Sequence, residues 1–326
     1  MKKTQNDFYT VDAHCDSVRL FSEKYYSFAG HNALGHIDLP RLREGGVNLQ
    51  FFALFVEPEY RAEKALQRAV QLLEIFWREM DNNKDYLTVI KTKKDLSLAV
   101  KVKDLSVLLS LEGGEPLSGG EEFLYFFYRL GVRSIGLTWN NSNCFAGGVA
   151  AGESAGGITA LGRDLIRKMN RLGIVVDGAH LAPKSYFDLL DIAEKPVLVS
   201  HANAFSLCSH PRNLTDDQLR ALRDKGGVVG LTFYPPFISE KEPANLDKLL
   251  DHFCYIADLA GTEVLGLGSD FDGIDQVLPE LPDVSCLPSL KEGLRARGFT
   301  EKELSAILGG NIVDLLLQNL PDSDIK

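Results

Sequence analysis

The chain has 326 residues, of which 45% are hydrophobic and 25% charged, a balance that suits a folded globular protein and argues against disorder. A net charge of −10 and a pI near 5.3 leave no basic stripe, which excludes a nucleic-acid partner on electrostatic grounds. No run nears the roughly 20 apolar residues of a membrane-spanning helix, so no membrane partner is expected.

The N-terminus, MKKTQNDFYTVDAHCD, has two lysines with no apolar stretch behind them and is not a secretory signal as it stands. The scattered cysteines (Cys15, Cys144, Cys208, Cys254, Cys286) then read as reduced thiols, and the expected location is cytoplasmic. Residues 11–16 (VDAHCD) form an apolar run ending in polar groups and predict the first strand. Cys15 points to the opposite strand face from His14 and Asp16 and reads as a packed thiol. Residues 17–46 hold helical pieces and a loop containing His31 and His36, which are expected in solvent.

Residues 45–56 predict the second strand. Residues 63–83 predict a long amphipathic helix with Leu66, Val70, Leu73 and Trp77 as its core stripe. Residues 86–91 form a short, peripheral extended piece. The third strand, 105–111 (LSVLLSL), ends at Glu112 and Gly113-Gly114, and a helix follows over 121–131. The fourth, 132–138, runs into Trp139-Asn140-Asn141. The Gly/Ala/Ser/Asn-rich stretch 141–157 is either a lid or a crossover. A helix over 159–172 carries a stripe of Leu161, Leu165, Met169 and Leu172.

Residues 174–180 (IVVDGAH) and 196–201 (PVLVSH) predict strands five and six, each ending in a histidine, with a helix over 185–193 between them. The next helix, 214–227, opens with a capping box of Thr215 and Gln218. Strand seven spans 228–234, a helix 246–261, and strand eight 264–270 (VLGLGSD). Helices over 289–297 and 301–317 close the chain. Eight strand candidates alternating with helices, without a linker or repeat, predict an α/β fold. It is a single (β/α)8 barrel, the TIM-barrel architecture, over residues 1–326.

In such a barrel the C-terminal strand ends converge at one mouth. The residues brought there are His14 and Asp16, Glu112, His180, His201 and Asp270. Three imidazoles and the carboxylates of Asp16 and Glu112 exceed the needs of one tetrahedral zinc and suit two ions, with Glu112 as the bridge. Such a pair lowers the pKa of a bridging water and presents hydroxide near neutral pH, and Asp270 is placed to carry the proton.

The motifs DAHCDS, LSLEGGEPL, IGLTWNNSN, VVDGAH, SHANAFSLCSHPRNLTDDQL, GLTFYPPFI, GSDFDG and GGNIVDLL resemble those of the membrane dipeptidase (renal dipeptidase) family of dizinc peptidases. The similarity runs from about residue 11 to residue 317. It implies that His14 and Asp16 bind one zinc, that His180 and His201 bind the other, and that Glu112 bridges. It further implies that Asp270 is the acid/base, that Arg212 holds the substrate carboxylate, and that Tyr234 lines the pocket. Two departures stand out. The animal members carry a histidine where this chain has Trp139, which leaves Asn140 or Asn143 as the donor to the substrate carbonyl, or the metal alone. Nothing here matches the signal, disulfides and lipid anchor of the secreted animal enzymes.

The expected activity is therefore zinc-dependent hydrolysis of dipeptides with a free C-terminal carboxylate, with homodimerisation left open. Two alternatives stand beside it: a hydrolase of another amide or cyclic amide on the same barrel, and a metal-binding homologue without turnover.

Overall fold

A computed structural model describes residues 8–60 and 64–324. Residues 1–7, the start of the stretch read for an export signal, and Glu63, the first residue of the expected long helix, lie outside these. The strands are β1 (Thr10–Asp12), β2 (Val47–Phe55), β3 (Thr88–Val89), β4 (Ser106–Glu112), β5 (Val132–Gly136), β6 (Val175–Asp177), β7 (Leu198–Val199), β8 (Val228–Leu231) and β9 (Leu265–Leu267). All pairings are parallel. They run β2-β1-β9-β8-β7-β6-β5-β4, and β2 pairs with β4 over seven residues to close an eight-stranded TIM barrel. β3 pairs with Ser106 and Val107 at the foot of β4, the edge that β5 covers from Leu109 onward. It matches the peripheral extended piece at 86–91.

The helices are α1 (Leu39–Glu44), α2 (Ala65–Asn82), α3 (Lys93–Val102), α4 (Glu122–Arg129), α5 (Ala160–Leu172), α6 (Pro183–Ile192), α7 (Asp216–Asp224), α8 (Pro235–Ile238), α9 (Leu246–Ala260), α10 (Leu287–Ala296), α11 (Glu301–Ser305) and α12 (Asn311–Asn319). None of the described helices is long and apolar enough to cross a membrane. The strands are buried on both faces, as a barrel wall wrapped in helices requires, which explains near-continuous apolar runs such as VNLQFFALF in β2.

Several expectations are corrected. α2 buries Ala65, Ala69, Leu72, Leu73, Phe76 and Met80, while Val70 is exposed. The stripe is rotated because the two alanines let the helix approach the barrel closely. On α5, Leu161 is exposed and Ile166 takes its place in the core. α3 was not expected, although Thr92 and Asp95 form a full capping box at its start. The closing helix is interrupted between α11 and α12 by a π-type turn, Ala306–Gly310. There the backbone of Gly309 lies against the Tyr9 carbonyl, where a Cβ would overlap it.

The ladders are shorter than the apolar runs. β1, β6, β7 and β9 stop two or three residues before the polar groups that end the sequence motifs. The chain leaves the sheet there, with His180 at φ 65° and Asp270 at φ 66°, and turns these side chains toward the barrel axis.

Candidate metal centre

The last residue of β4 and the segments beyond β1, β6, β7 and β9 bring His14, Asp16, Glu112, His180, His201 and Asp270 together at the C-terminal mouth, all of them largely buried. Glu112 lies between two groups. Its Oε2 is 3.4 Å from His14 Nε2, while its Oε1 is 2.9 Å from His180 Nε2 and 3.7 Å from His201 Nε2. Asp16 Oδ2 and Asp270 Oδ1 stand 3.4 and 3.7 Å from His14 Nε2. The spacing in this cluster is set partly by Gly273, where a Cβ would overlap the carboxylates of Asp16 and Asp270.

Hydrogen bonds fix the two later imidazoles. His180 Nδ1 lies 2.8 Å from Asn140 Oδ1, which can only accept, so Nδ1 carries the proton. His201 Nδ1 lies 2.8 Å from Ser200 Oγ. The two Nε2 atoms are 2.8 Å apart. Burial, with the nearby Arg212 charge, holds His180 down at about 3, and burial and the charge of His14 hold His201 well below its ordinary range, so both rings are neutral. Burial opposes a proton on His14, but Glu112 and Asp16 outweigh it and raise its pKa well above 6.5. Burial would raise Glu112, yet His14 and His180 hold it well below the usual carboxylate range. Burial pushes Asp270 up to about 8, with Asp16 and Glu112 adding repulsion.

These residues fit a cation centre. His14 Nε2 and Asp16 Oδ1 are buried without a hydrogen-bond partner, although carboxylate oxygens surround the imidazole. Two ligand atoms each ~2.1 Å from one tetrahedral ion stand about 3.4 Å apart, the separation found between His14 and both Asp16 and Glu112. In the metal-free chain the proton on His14 supplies positive charge to a pocket of carboxylates that otherwise repel.

Around the centre is a cavity of about 480 Å3, within the range of small-molecule sites. Arg212, Tyr234 and Asn140 line it as expected. Arg212 is buried, donates from Nη2 to the His201 carbonyl at 3.2 Å, and lies over the Phe237 ring. Burial lowers its pKa to about 10, which leaves it charged at neutral pH. Tyr234 is hydrogen-bonded to Asp275 and packs on Phe237. Trp139 lies 5.4 Å from Phe55 and 6.0 Å from His180, ring to ring. Asn143 does not line the cavity; its amide is used on the Leu137 carbonyl and Glu115, inside the loop.

His36 is engaged with Asp272, and exposed His31 faces Asp38 and Glu44. Cys15 donates to the Phe51 carbonyl and is a packed thiol. Residues 141–157 are pinned as a crossover: Val149 donates to the His180 carbonyl and Ala150 to that of Asn140. Sequence reasoning missed Arg19, Phe55, His210, Phe237 and Asp275 as lining residues. Phe55 carried a signal as the last residue of an apolar strand, and His210 and Phe237 lie within the motifs SHPRN and TFYPPFI.

A parallel β/α barrel that gathers imidazoles and carboxylates at its C-terminal mouth defines a metal-dependent hydrolase. The profile of the membrane dipeptidase family, peptidase family M19, matches residues 1–319, and the chain belongs to that family. It is 34% identical to an uncharacterised dipeptidase of Schizosaccharomyces pombe over 94% of this chain and 80% of that one. It is 31% identical to the dipeptidase aclJ of Aspergillus oryzae, over 89% of this chain and 72% of that one. Among solved structures it is similar to the dipeptidase AC, a metallopeptidase of family M19. That match has a TM-score of 0.90 and 28% identity, and covers 98% of this chain and all of that one. A Rhodobacter sphaeroides metallopeptidase, solved with a phosphinate mimic of the dipeptide L-Ala-D-Ala, matches with a TM-score of 0.89 and 28% identity over 96% and 99% of the two chains. The chain is thus a metal-dependent dipeptidase, a hydrolase of peptide bonds.

Proposed function

We propose that the chain, acting as one catalytic unit, hydrolyses dipeptides with a free C-terminal carboxylate, using two zinc ions held at the barrel mouth. The observation that carries this reading is Glu112, whose two carboxylate oxygens face different ligand groups, His14 on one side and His180 with His201 on the other. His14 and Asp16 would hold one ion and His180 and His201 the other, with Glu112 available to both. When bound, such a pair supplies hydroxide near neutral pH and polarises the peptide carbonyl.

The chain's own residues do the rest. Arg212 takes the substrate carboxylate on its guanidinium fork, which limits substrates to those whose C-terminus lies one residue from the scissile bond. Asp270 Oδ1 accepts the proton of the attacking water and delivers it to the amine nitrogen of the departing residue. Asn140 orients His180 and borders the cavity. Phe55 at the end of β2 and Trp139 beyond β5 meet at 5.4 Å, ring to ring, and give the cavity an aromatic wall for the N-terminal side chain. Dipeptides with a D-residue on the C-terminal side are included, by analogy with the ligand of the Rhodobacter sphaeroides relative.

The test is a panel of dipeptides and their C-terminal amides, assayed with zinc and with chelator. Chelator-sensitive release of amino acids from free dipeptides, and little from the amides, supports the reading. Equal turnover of amides overturns the carboxylate clamp, and chelator-resistant turnover overturns the metal centre.

A further inference from the structure

Two buried aspartates that take no part in the proposed chemistry make the same set of bonds at two places in the barrel. Asp12 ends β1 and pairs with Leu267 of β9; Asp177 ends β6 and pairs with Leu198 of β7. In each case the residue after the aspartate donates to the partner's carbonyl: Ala13 to Leu267 at 2.9 Å and Gly178 to Leu198 at 2.7 Å. The carboxylate then accepts from the backbone two residues further along its own strand, from His14 N at 3.4 Å and Ala179 N at 2.9 Å. The same Oδ1 accepts from the backbone two residues beyond the partner: Ser269 N at 2.8 Å and Ser200 N at 3.0 Å. Both donors are serines, and both hydroxyls also bond the aspartate. Each serine directly precedes a site residue, Asp270 or His201.

The repetition has a physical purpose. Beyond those two bonds the ladder stops, so the N–H groups of His14, Ala179, Ser269 and Ser200 find the carboxylates in place of a sheet partner, and an unmet buried donor is costly. A carboxylate accepts from both strands at once and replaces two missing ladder bonds. It holds the strand ends together while the chain turns into the positive-φ conformations of His180 and Asp270. The Asp177 copy also reaches a ligand: Ser200 gives its hydroxyl proton to Asp177 and accepts from His201 Nδ1–H, which leaves the Nε2 lone pair facing Glu112.

We propose that Asp12 and Asp177 are positioning residues, two copies of one strap that lock β1 to β9 and β6 to β7 so that His14, Asp270, His180 and His201 converge on one point. The inference rests on the proposed roles of His201 as a ligand and Asp270 as the proton carrier.

The test uses Asp177→Asn, Asp12→Asn and Ser200→Ala in the full chain. An asparagine oxygen still accepts from the two backbone amides, but its NH2 cannot accept from serine. In Asp177→Asn the Ser200 hydroxyl therefore turns to donate to His201 Nδ1, moving the ring proton to Nε2. The first readout is the imidazole 15N spectrum of the metal-free protein, with the His201 proton on Nδ1 in wild type and on Nε2 in Asp177→Asn. The second is zinc affinity by chelator competition, which falls by about 10–100-fold in Asp177→Asn and Ser200→Ala. In Asp12→Asn the expected change is a lower kcat with a KM close to wild type, because the support of Asp270 is weakened and that of Arg212 is not. Variants with wild-type tautomer, zinc affinity and kcat overturn the strap. A wild type that takes up no zinc overturns the reading of the site itself.

Discussion

The Nε2 atoms of His180 and His201 face each other at 2.8 Å, and each ring has its Nδ1 engaged elsewhere, by Asn140 and Ser200. Two neutral acceptors held this close, with a carboxylate oxygen of Glu112 at 2.9 Å from one of them, repel unless a cation lies between. The protein thus stores an electrostatic conflict that a metal resolves, and predictions follow from where that conflict is placed.

Glu112 is in contact distance of both ligand groups, so on the two-ion reading Glu112→Gln is expected to weaken the binding of both ions. It removes one of the three carboxylates at the mouth and leaves an amide NH2 pointing at an imidazole nitrogen. With ~4 kcal/mol of transition-state stabilisation at stake, kcat/KM is expected to fall about a thousandfold. Metal analysis of the purified variant checks the cause: a full complement of two ions per chain would contradict it.

Arg212 is the charged group left for the substrate carboxylate on the β7 side of the cavity. Losing one charge-assisted bond costs about 1.5–3 kcal/mol. Arg212→Met is expected to lower kcat/KM for free dipeptides by roughly 10–150-fold, mostly through KM, and to leave the amidated analogues nearly unaffected. Steady-state kinetics on matched pairs decides this, and an equal loss on both members excludes the clamp.

The pH dependence of the metal-free chain has a defined sign. Burial holds His180 at about 3 in the native state against an ordinary 6.5. Between those values the unfolded chain binds a proton that the native chain refuses. The contribution is complete above pH 6.5 and is lost as the pH falls toward 3. From pH 7 to 5 the wild type should lose about 2 kcal/mol more than His180→Gln. Urea denaturation of chelator-treated protein gives both curves, and parallel curves would refute the assignment.

Gly309 touches the Tyr9 carbonyl at the foot of β1, with no room for a Cβ. Gly309→Ala must push the α11–α12 segment off the barrel and is expected to cost about 1–3 kcal/mol. The metal centre lies at the other end of the barrel, so zinc affinity should hold while the thermal midpoint drops; a midpoint equal to wild type would mean that the segment shifts without strain.

The barrel was readable because its strands are buried on both faces and therefore appear as apolar runs of 4–7 residues. The candidate ligands were readable because a histidine or carboxylate after such a run is conspicuous: His180 follows IVVDGA and His201 follows PVLVS. Other features left weaker traces. Asp12 and Asp177 are visible as polar breaks just before the histidines, but a bond to a serine on a neighbouring strand has no local signature. The exposure of Val70 and Leu161 was missed because period alone does not give the phase of a helix: small residues, Ala65 and Ala69 on α2 and Gly162 on α5, take part of the buried face. α3 was overlooked because lysines, an aspartate and a serine interrupt its apolar residues, although its cap was in plain view.

The direct pairing of β2 with β4 makes residues 56–105 an excursion from the wall and back. Its turn at Lys84 and Asp85 is exposed and lies beside the start of β3, away from the mouth. The order of secondary structure along the chain is therefore separable from the order of strands in space. An insertion between Lys84 and Asp85 would lengthen the excursion and still leave the same cylinder around the same cavity.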